Sequence, residues 1–260
     1  MEKQPGFFDF AAEVGLTKHI GGVAATEALA QLCHVGRGQT VLDVGCGVGV
    51  TACFLAKRYG CRVVGVDISV RMVERARERA AREKVADRVE FRVADAQDLP
   101  FAEAAFDAVI TESVTAFPAD KQRAVDEYAR VTRPGGHVGL NESTWLKVPP
   151  PPEVLTWVEQ EVGATVRPLE ADEWTALLQK AGLQEITVRT YAVDTQDEAK
   201  GIVRRYGCSG MLSVLWRTLR LYARSPHYRA FVKRVRAGGV LPENLEEYFG
   251  YGLFVGQKPG

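Results

Sequence analysis

The sequence predicts an α/β fold around a doubly wound, mostly parallel sheet. Short apolar runs of four to six residues alternate with stretches of helical period over the first 143 residues, the pattern of βαβ units. A glycine-rich loop, Gly45-Cys46-Gly47-Val48-Gly49, follows the first clear apolar run. The chain has 260 residues, 46% hydrophobic and 25% charged. That is enough apolar material to bury a sizeable core without staples.

The elements follow in order. Residues 24–34 read as a helix with Ala25, Ala28, Leu29 and Leu32 on one face. Residues 41–44 form a short buried strand, then the glycine loop, then a helix over 51–58. A strand over 62–67 precedes a helix over 70–84, and strands over 89–93 and 106–111 precede a helix over 121–131. Residues 133–136 make a turn into a fifth strand over 138–141. Pro149 to Pro152 is an extended, stiff connection to helices over 153–163 and 172–181. Residues 184–193 and 251–257 read as two final strands, separated by a mostly helical stretch.

Composition narrows the function classes. Lys and Arg number 33 against 33 Asp and Glu, so the chain is not a generic nucleic-acid binder, which would be basic overall. No apolar run reaches the ~18 residues of a membrane span. The first residues, MEKQPGFFDFAAEVG, lack a basic stretch followed by an apolar one, so no secretory signal is expected. The five cysteines (33, 46, 53, 61 and 208) are odd in number and contain no C-x-x-C, which predicts reduced thiols in a cytoplasm and no metal site.

The glycine loop is the sharpest local signal. It joins a strand to a helix, the place where open α/β sheets bind nucleotides, although such loops also serve plain turns. A dinucleotide fingerprint requires glycine at position 50, and the chain has Val50. The predicted C-terminal ends of the first four strands carry Asp43, Asp67, Asp95 and Glu112. Any one of them reads as a solvated strand end, but four in succession make the ligand edge acidic. Such an edge repels a pyrophosphate and attracts a ligand carrying an ammonium and a sulfonium, such as S-adenosylmethionine (SAM).

The segments VLDVGCGVG, VVGVDIS, VADAQDLPF, FDAVITES and RVTRPGGHVGLNE resemble, in order and spacing, the motifs of class I SAM-dependent methyltransferases. Within that superfamily they are most similar to the branch containing the ubiquinone/menaquinone and sterol C-methyltransferases. The resemblance covers residues 37 to 143. It implies a seven-stranded, mostly parallel sheet, with the last strand inserted antiparallel between strands five and six, under a helical cap. It implies a single methyltransferase domain over residues 1–260: an N-terminal cap over 1–36, a core over 37–194, a helical insertion over 195–250 and the last strand over 251–260.

The resemblance also implies roles. Gly45, Gly47 and Gly49, with Cys46 between them, would let the backbone pass close to the methionine part of SAM. Asp43 would orient the loop or face the SAM ammonium, and Thr51 would help hold its carboxylate. Asp67 would accept both ribose hydroxyls, since one carboxylate can do so bidentately. Ile68 would pack on the adenine, with Asp95 and Ala96 at its exocyclic amine. Glu112 and Ser113 would lie near the transferred methyl. The expected product is S-adenosylhomocysteine.

A general base is needed only where the methyl acceptor carries a proton that must leave. The candidates are Glu112, Glu142 just past strand five, and His19 in the glycine-flanked segment upstream of the first helix. His19 reads equally as a surface histidine. His34 and His137 precede strands one and five, so they fall on the opposite edge and read as structural. The fourth strand is followed by Glu112-Ser113-Val114-Thr115 and not by an Asn-Pro-Pro-Tyr-like signature, which weakens methylation of nucleic-acid amino groups. Phe7, Phe8, Phe10, Phe117, Trp145 and Trp157 flank the ligand edge or its cover and would suit a small apolar or aromatic acceptor, although ordinary lid packing explains them as well.

The neutral total hides an asymmetry. Residues 200–236 carry ten Lys and Arg and no acid. Leu212, Leu215, Trp216 and Leu219 share one helical face, with Arg217, Arg220 and Arg224 on the other. The favoured expectation is a lid helix packing its leucine face on the domain. The alternative is peripheral contact with an anionic membrane, as in a methyltransferase acting on a phospholipid or isoprenoid quinone. A non-catalytic SAM-binding module is a third reading.

Overall fold

A computed structural model describes residues 10, 13–14, 19–161, 167–193, 195–236 and 242–260. The elements run α1 (Gly22–Leu32), β1 (Thr40–Val44), α2 (Val50–Tyr59), β2 (Arg62–Asp67), α3 (Val70–Arg82), β3 (Val89–Val93), β4 (Phe106–Glu112), α4 (Lys121–Val131) and β5 (Thr132–Trp145). They continue with α5 (Pro152–Glu161), β6 (Leu169–Glu170), α6 (Ala171–Lys180), β7 (Gln184–Ala192), α7 (Thr195–Arg224), α8 (Pro226–Arg236), α9 (Leu245–Tyr248) and β8 (Phe249–Gln257).

The sheet order is β3-β2-β1-β4-β5-β8-β7. The first five strands are parallel, and β8 lies antiparallel to both β5 and β7, as expected. The chain leaves β1 toward β2 on one side and reaches β4 on the other. That reversal opens a crevice at the C-terminal ends of β1 and β4, where open α/β sheets bind ligands.

The central strands β1, β4 and β8 are covered on both faces, which explains why they read as nearly continuous apolar runs, whereas the edge strand β7 is largely exposed. Adjacent residues of β1 point to opposite sides. Val41 joins a core with Leu29 of α1, Ala52 and Leu55 of α2 and Ala76 of α3. Leu42 joins a second core with Tyr128 of α4 and Trp174 and Leu178 of α6.

Helix ends follow local chemistry. The Ser69 hydroxyl accepts from Met72 N (3.4 Å) to start α3, and Asp120 accepts from Arg123 N (2.9 Å) to start α4. The proline run ends inside α5, with Pro152 at the first helical position, where its missing N–H leaves no bond unmade. Gly60, at φ +69°, closes α2.

Two features depart from the expected elements. The turn at 133–136 lies inside β5 as a bulge: against β4 the register passes from Phe106–Thr132 directly to Ala108–His137. It is tied to the chain end by Gly135 N to Lys258 O and Lys258 N to Gly136 O, both 2.8 Å. The second departure is β6, an eighth strand of two residues pairing with the end of β5. A strand that short leaves no periodicity to read.

Candidate functional site

The site is built around the turn from β1 to α2. Gly45, Gly47 and Gly49 all have positive φ, a region that side chains other than glycine rarely adopt. A Cβ on Gly45 would overlap the Val114 side chain, and one on Gly49 would sit 2.8 Å from Phe91 Cζ and 3.0 Å from Ala76 Cβ. The loop is therefore narrow as well as sharply turned. Cys46, buried, donates its N–H to Val66 O (2.9 Å) and stitches the loop to β2.

Asp67 ends β2 beside this loop. Its Oδ2 accepts from Gly47 N and its Oδ1 from Ser69 N, both at 2.9 Å. Each oxygen keeps lone-pair capacity for a further donor. Burial raises the Asp67 pKa, and the two amides pull it back down. Ile68, next in the chain, is 72% exposed. On the next strand connection Asp95 accepts from Gln97 N (2.9 Å) and Gln97 Nε2 (3.2 Å), with half-buried Ala96 between them.

Asp43 is buried, and among the described residues its Oδ2 has no hydrogen-bond partner. Burial, then the nearby Glu112, push its pKa well above the usual carboxylate range, opposed by a hydrogen bond from the Ala52 backbone. It ties the loop to the first turn of α2 and leaves one acceptor unmatched.

Glu112 is the centre of a buried polar group. Thr51 donates to its Oε2 (2.7 Å), Thr26 lies 3.0 Å from Oε1, and Asn141 Nδ2 lies 3.2 Å from the same oxygen. His19 Nδ1 is 3.4 Å from Oε2, while His19 Nε2 lies 3.0 Å from Gly22 O and 3.1 Å from the Thr26 hydroxyl. Asn141 also donates to Ile20 O (2.9 Å). Segment 19–22 is thereby pinned across the ends of β4 and β5. Ser113, at φ +57°, donates its N–H to Asn141 O (2.7 Å).

Two members of this group, Thr26 and Asn141, do not stand out in the sequence as site residues. The available signal was a polar residue at a core position. Thr26 sits on the buried face of α1 among Ala25, Leu29 and Ala30, where an unpartnered hydroxyl would be costly.

Glu142 is fully buried and separate from this group. Its Oε1 accepts from Val114 N (2.9 Å) and Thr115 N (2.7 Å), fastening the turn whose Val114 closes on Gly45. Burial pushes its carboxyl up to about 7, against the pull of those amides. The folded state therefore keeps a proton that the unfolded chain releases. Stability from this group is full at acid pH and declines as the pH rises from the ordinary carboxylate range toward 7, by about 3 kcal/mol. The expected result for Glu142→Gln is a shallower decline across that window in denaturant melts at stepped pH. A decline as steep as in the parent chain would contradict this assignment.

The cover differs from expectation at α7. Its inner face is Met211 and Val214, packed on Val48 of the glycine loop and Met72 of α3, with Arg217 Nη2 3.9 Å from Glu78 Oε2. The favoured expectation had the leucine face turned inward. Instead Leu212, Leu215, Trp216 and Leu219 are exposed, Trp216 at 68%. Arg217, expected on the outer face, is only half-exposed. Of the aromatics, Phe10 packs edge-on against Tyr228 of α8 (5.0 Å), and Trp145 and Trp157 pack against Phe249 (5.7 and 6.4 Å). Phe117 is 40% exposed, while Phe7 and Phe8 lie outside the described residues. His34 and His137 face each other (5.0 Å) at the opposite edge of the sheet.

Residues 41–136 match the family model described as a methyltransferase domain. Methyltransferase GfsG of Streptomyces halstedii is 36% identical over 186 residues, 70% of this chain and 66% of the relative. The 27-O-demethylrifamycin SV methyltransferase of Amycolatopsis mediterranei is 39% identical over 163 residues, 61% of this chain. The chain spans 59% of that relative's length. Among solved structures, the [4+2]-cyclase SpnF superimposes with a TM-score of 0.72 at 20% identity, over 97% of this chain and 93% of that one.

Proposed function

The chain belongs to the class I SAM-dependent methyltransferases, and from that premise we propose that it transfers a methyl group from SAM to a small apolar or aromatic organic acceptor. The observation that carries this reading is the pairing of the narrow glycine turn with Asp67 at the end of β2. A fold shared with a cyclase does not by itself choose a reaction; the residues of the site do.

The residues present suit SAM. Positive φ at Gly45, Gly47 and Gly49 makes the sharp strand-to-helix turn that ligand sites of open α/β sheets use, with Val114, Phe91 and Ala76 filling the space beside Gly45 and Gly49. The unmatched Oδ2 of Asp43 lacks the cationic neighbour that an ammonium would supply. Asp67 would hold the ribose hydroxyls, exposed Ile68 would cover the adenine, and Asp95 with Ala96 would meet its edge. Gly47 and Cys46 would flank the methionine part. Thr51 already donates to Glu112, so its help to the SAM carboxylate would come through the first turn of α2.

SAM supplies an electrophilic methyl for in-line displacement. The protein's part is to position the acceptor and exclude water. We assign that to the 19–22 segment, Ser113 and the α7 cover, with residues 1–36 and 195–250 acting as caps of one domain over 1–260. Where the acceptor carries a proton, we assign its removal to His19: with Nε2 turned to Gly22 O, the proton would be taken at Nδ1, and the charged ring would face the Glu112 carboxylate at 3.4 Å. Glu142, held by two backbone amides, supports the turn beneath.

Incubating the protein with methyl-labelled SAM and a metabolite extract tests the reading. Mass spectrometry should find the label in a small apolar or aromatic compound. SAM binding without label in any acceptor would overturn it in favour of a non-catalytic module.

A further inference from the structure

We propose that the outer face of α7 and the adjoining α8 form a docking surface for an anionic lipid bilayer. This goes beyond the proposed methyl transfer and does not depend on it.

The first observation is an exposed apolar stripe. Leu212, Leu215, Trp216, Leu219 and Tyr222 follow one another at helical spacing and are all exposed. The inner face of the same helix is already occupied, with Met211 and Val214 packed on Val48 and Met72. The stripe therefore points away from the domain and is not a lid face awaiting closure. A continuous row of leucines, a tryptophan and a tyrosine on the surface marks an interaction site.

The second observation is charge. Residues 200–236 carry ten Lys and Arg and no Asp or Glu, in a chain that is neutral overall. Arg220 and Arg224 are exposed beside the stripe. At its end lies a recess of about 340 Å³ lined by Tyr222, Arg229, Ala230, Val232 and Lys233. Tyr222 thus belongs to both the apolar row and the basic recess. A helix presenting apolar side chains in the middle and cations at the margin lies in the plane of a lipid interface. Its stripe reaches the acyl boundary and its cations meet the headgroups. A second copy of the chain fits less well, because pairing two stripes would bring two sets of arginines together. Since α7 also covers the glycine loop, docking would hold the ligand edge close to the bilayer.

Co-sedimentation of the full chain with vesicles tests this without any cofactor. Binding is expected to phosphatidylcholine vesicles containing phosphatidylglycerol in ~20 mM salt. It should weaken at least about tenfold in ~0.5 M salt or with phosphatidylcholine alone. Trp216→Ser should weaken it by about tenfold with an unchanged melting temperature. Should that variant fold poorly, the double change Arg220→Glu and Arg224→Glu should weaken it likewise. No binding to anionic vesicles in low salt overturns the proposal. So does equal binding to phosphatidylcholine alone, or a dimer in analytical ultracentrifugation that Trp216→Ser dissociates.

Discussion

Asp67→Ala is expected to bring SAM affinity down by roughly 10- to 150-fold, the equivalent of about 1.5–3 kcal/mol for hydrogen bonds to a charged group. Two effects act together. The ribose hydroxyls lose their bidentate acceptor, and the N–H groups of Gly47 and Ser69 lose the carboxylate that spans them. The loop and the start of α3 are then no longer tied through one side chain. Titration calorimetry with SAM and with S-adenosylhomocysteine reads the effect directly. A circular dichroism melt checks that the variant folds, since Asp67 lies at a strand end and outside both apolar cores. Asp67→Asn should fall between the two, because it keeps one acceptor oxygen but loses the charge. Parent-like affinity in the alanine variant would remove the ribose assignment and with it the main support for the proposed chemistry.

The largest loss of stability is expected from Trp174→Ala. Trp174 is fully buried on α6, its ring tilted 35° against that of Phe254 of the inserted strand β8 with centroids 6.0 Å apart. Its Nε1–H donates to Ser143 O (3.2 Å), a carbonyl on β5 just past Glu142. One side chain thus fastens α6 to two strands. Truncation leaves a cavity and removes this hydrogen bond, at about 3–5 kcal/mol. For a chain of this size that is a fall in melting temperature of roughly 10 °C, measurable by scanning calorimetry. Trp174→Phe keeps most of the packing and loses the hydrogen bond, so its fall should be well under half as large. A shift under about 2 °C for the alanine variant would mean that α6 is not fastened to the sheet through this residue.

Legibility differed by kind of feature. The five parallel strands were readable because their buried runs are bounded by turns and separated by helical spacing. The glycine turn and Asp67 were readable because each needs only its own backbone neighbourhood. The Glu112 group was half readable. Glu112, Thr51 and His19 could be named one at a time, but Thr26 and Asn141 join them across 86 and 29 residues of chain. No local pattern records that meeting. For Glu142 the sequence showed a carboxylate past strand five, whereas its burial and its two amide partners depend on how the 113–115 turn folds over it.

Helix α7 makes the division clearest. Residues 211, 214 and 221 and residues 212, 215, 216 and 219 are both apolar rows at helical spacing. Periodicity along one helix cannot say which row is covered, because the answer lies in the neighbour. Val48 and Met72 settle it by receiving Met211 and Val214. What the sequence alone determined is the alternation of strands and helices, the sharp turn after the first strand and the acids at the ligand edge. Each of these follows from interactions within a few residues. The tertiary structure decided which carboxylates are held and by what, and which apolar face is left to solvent. Those outcomes depend on surfaces contributed by distant parts of the chain, and burial exists only once those parts have met.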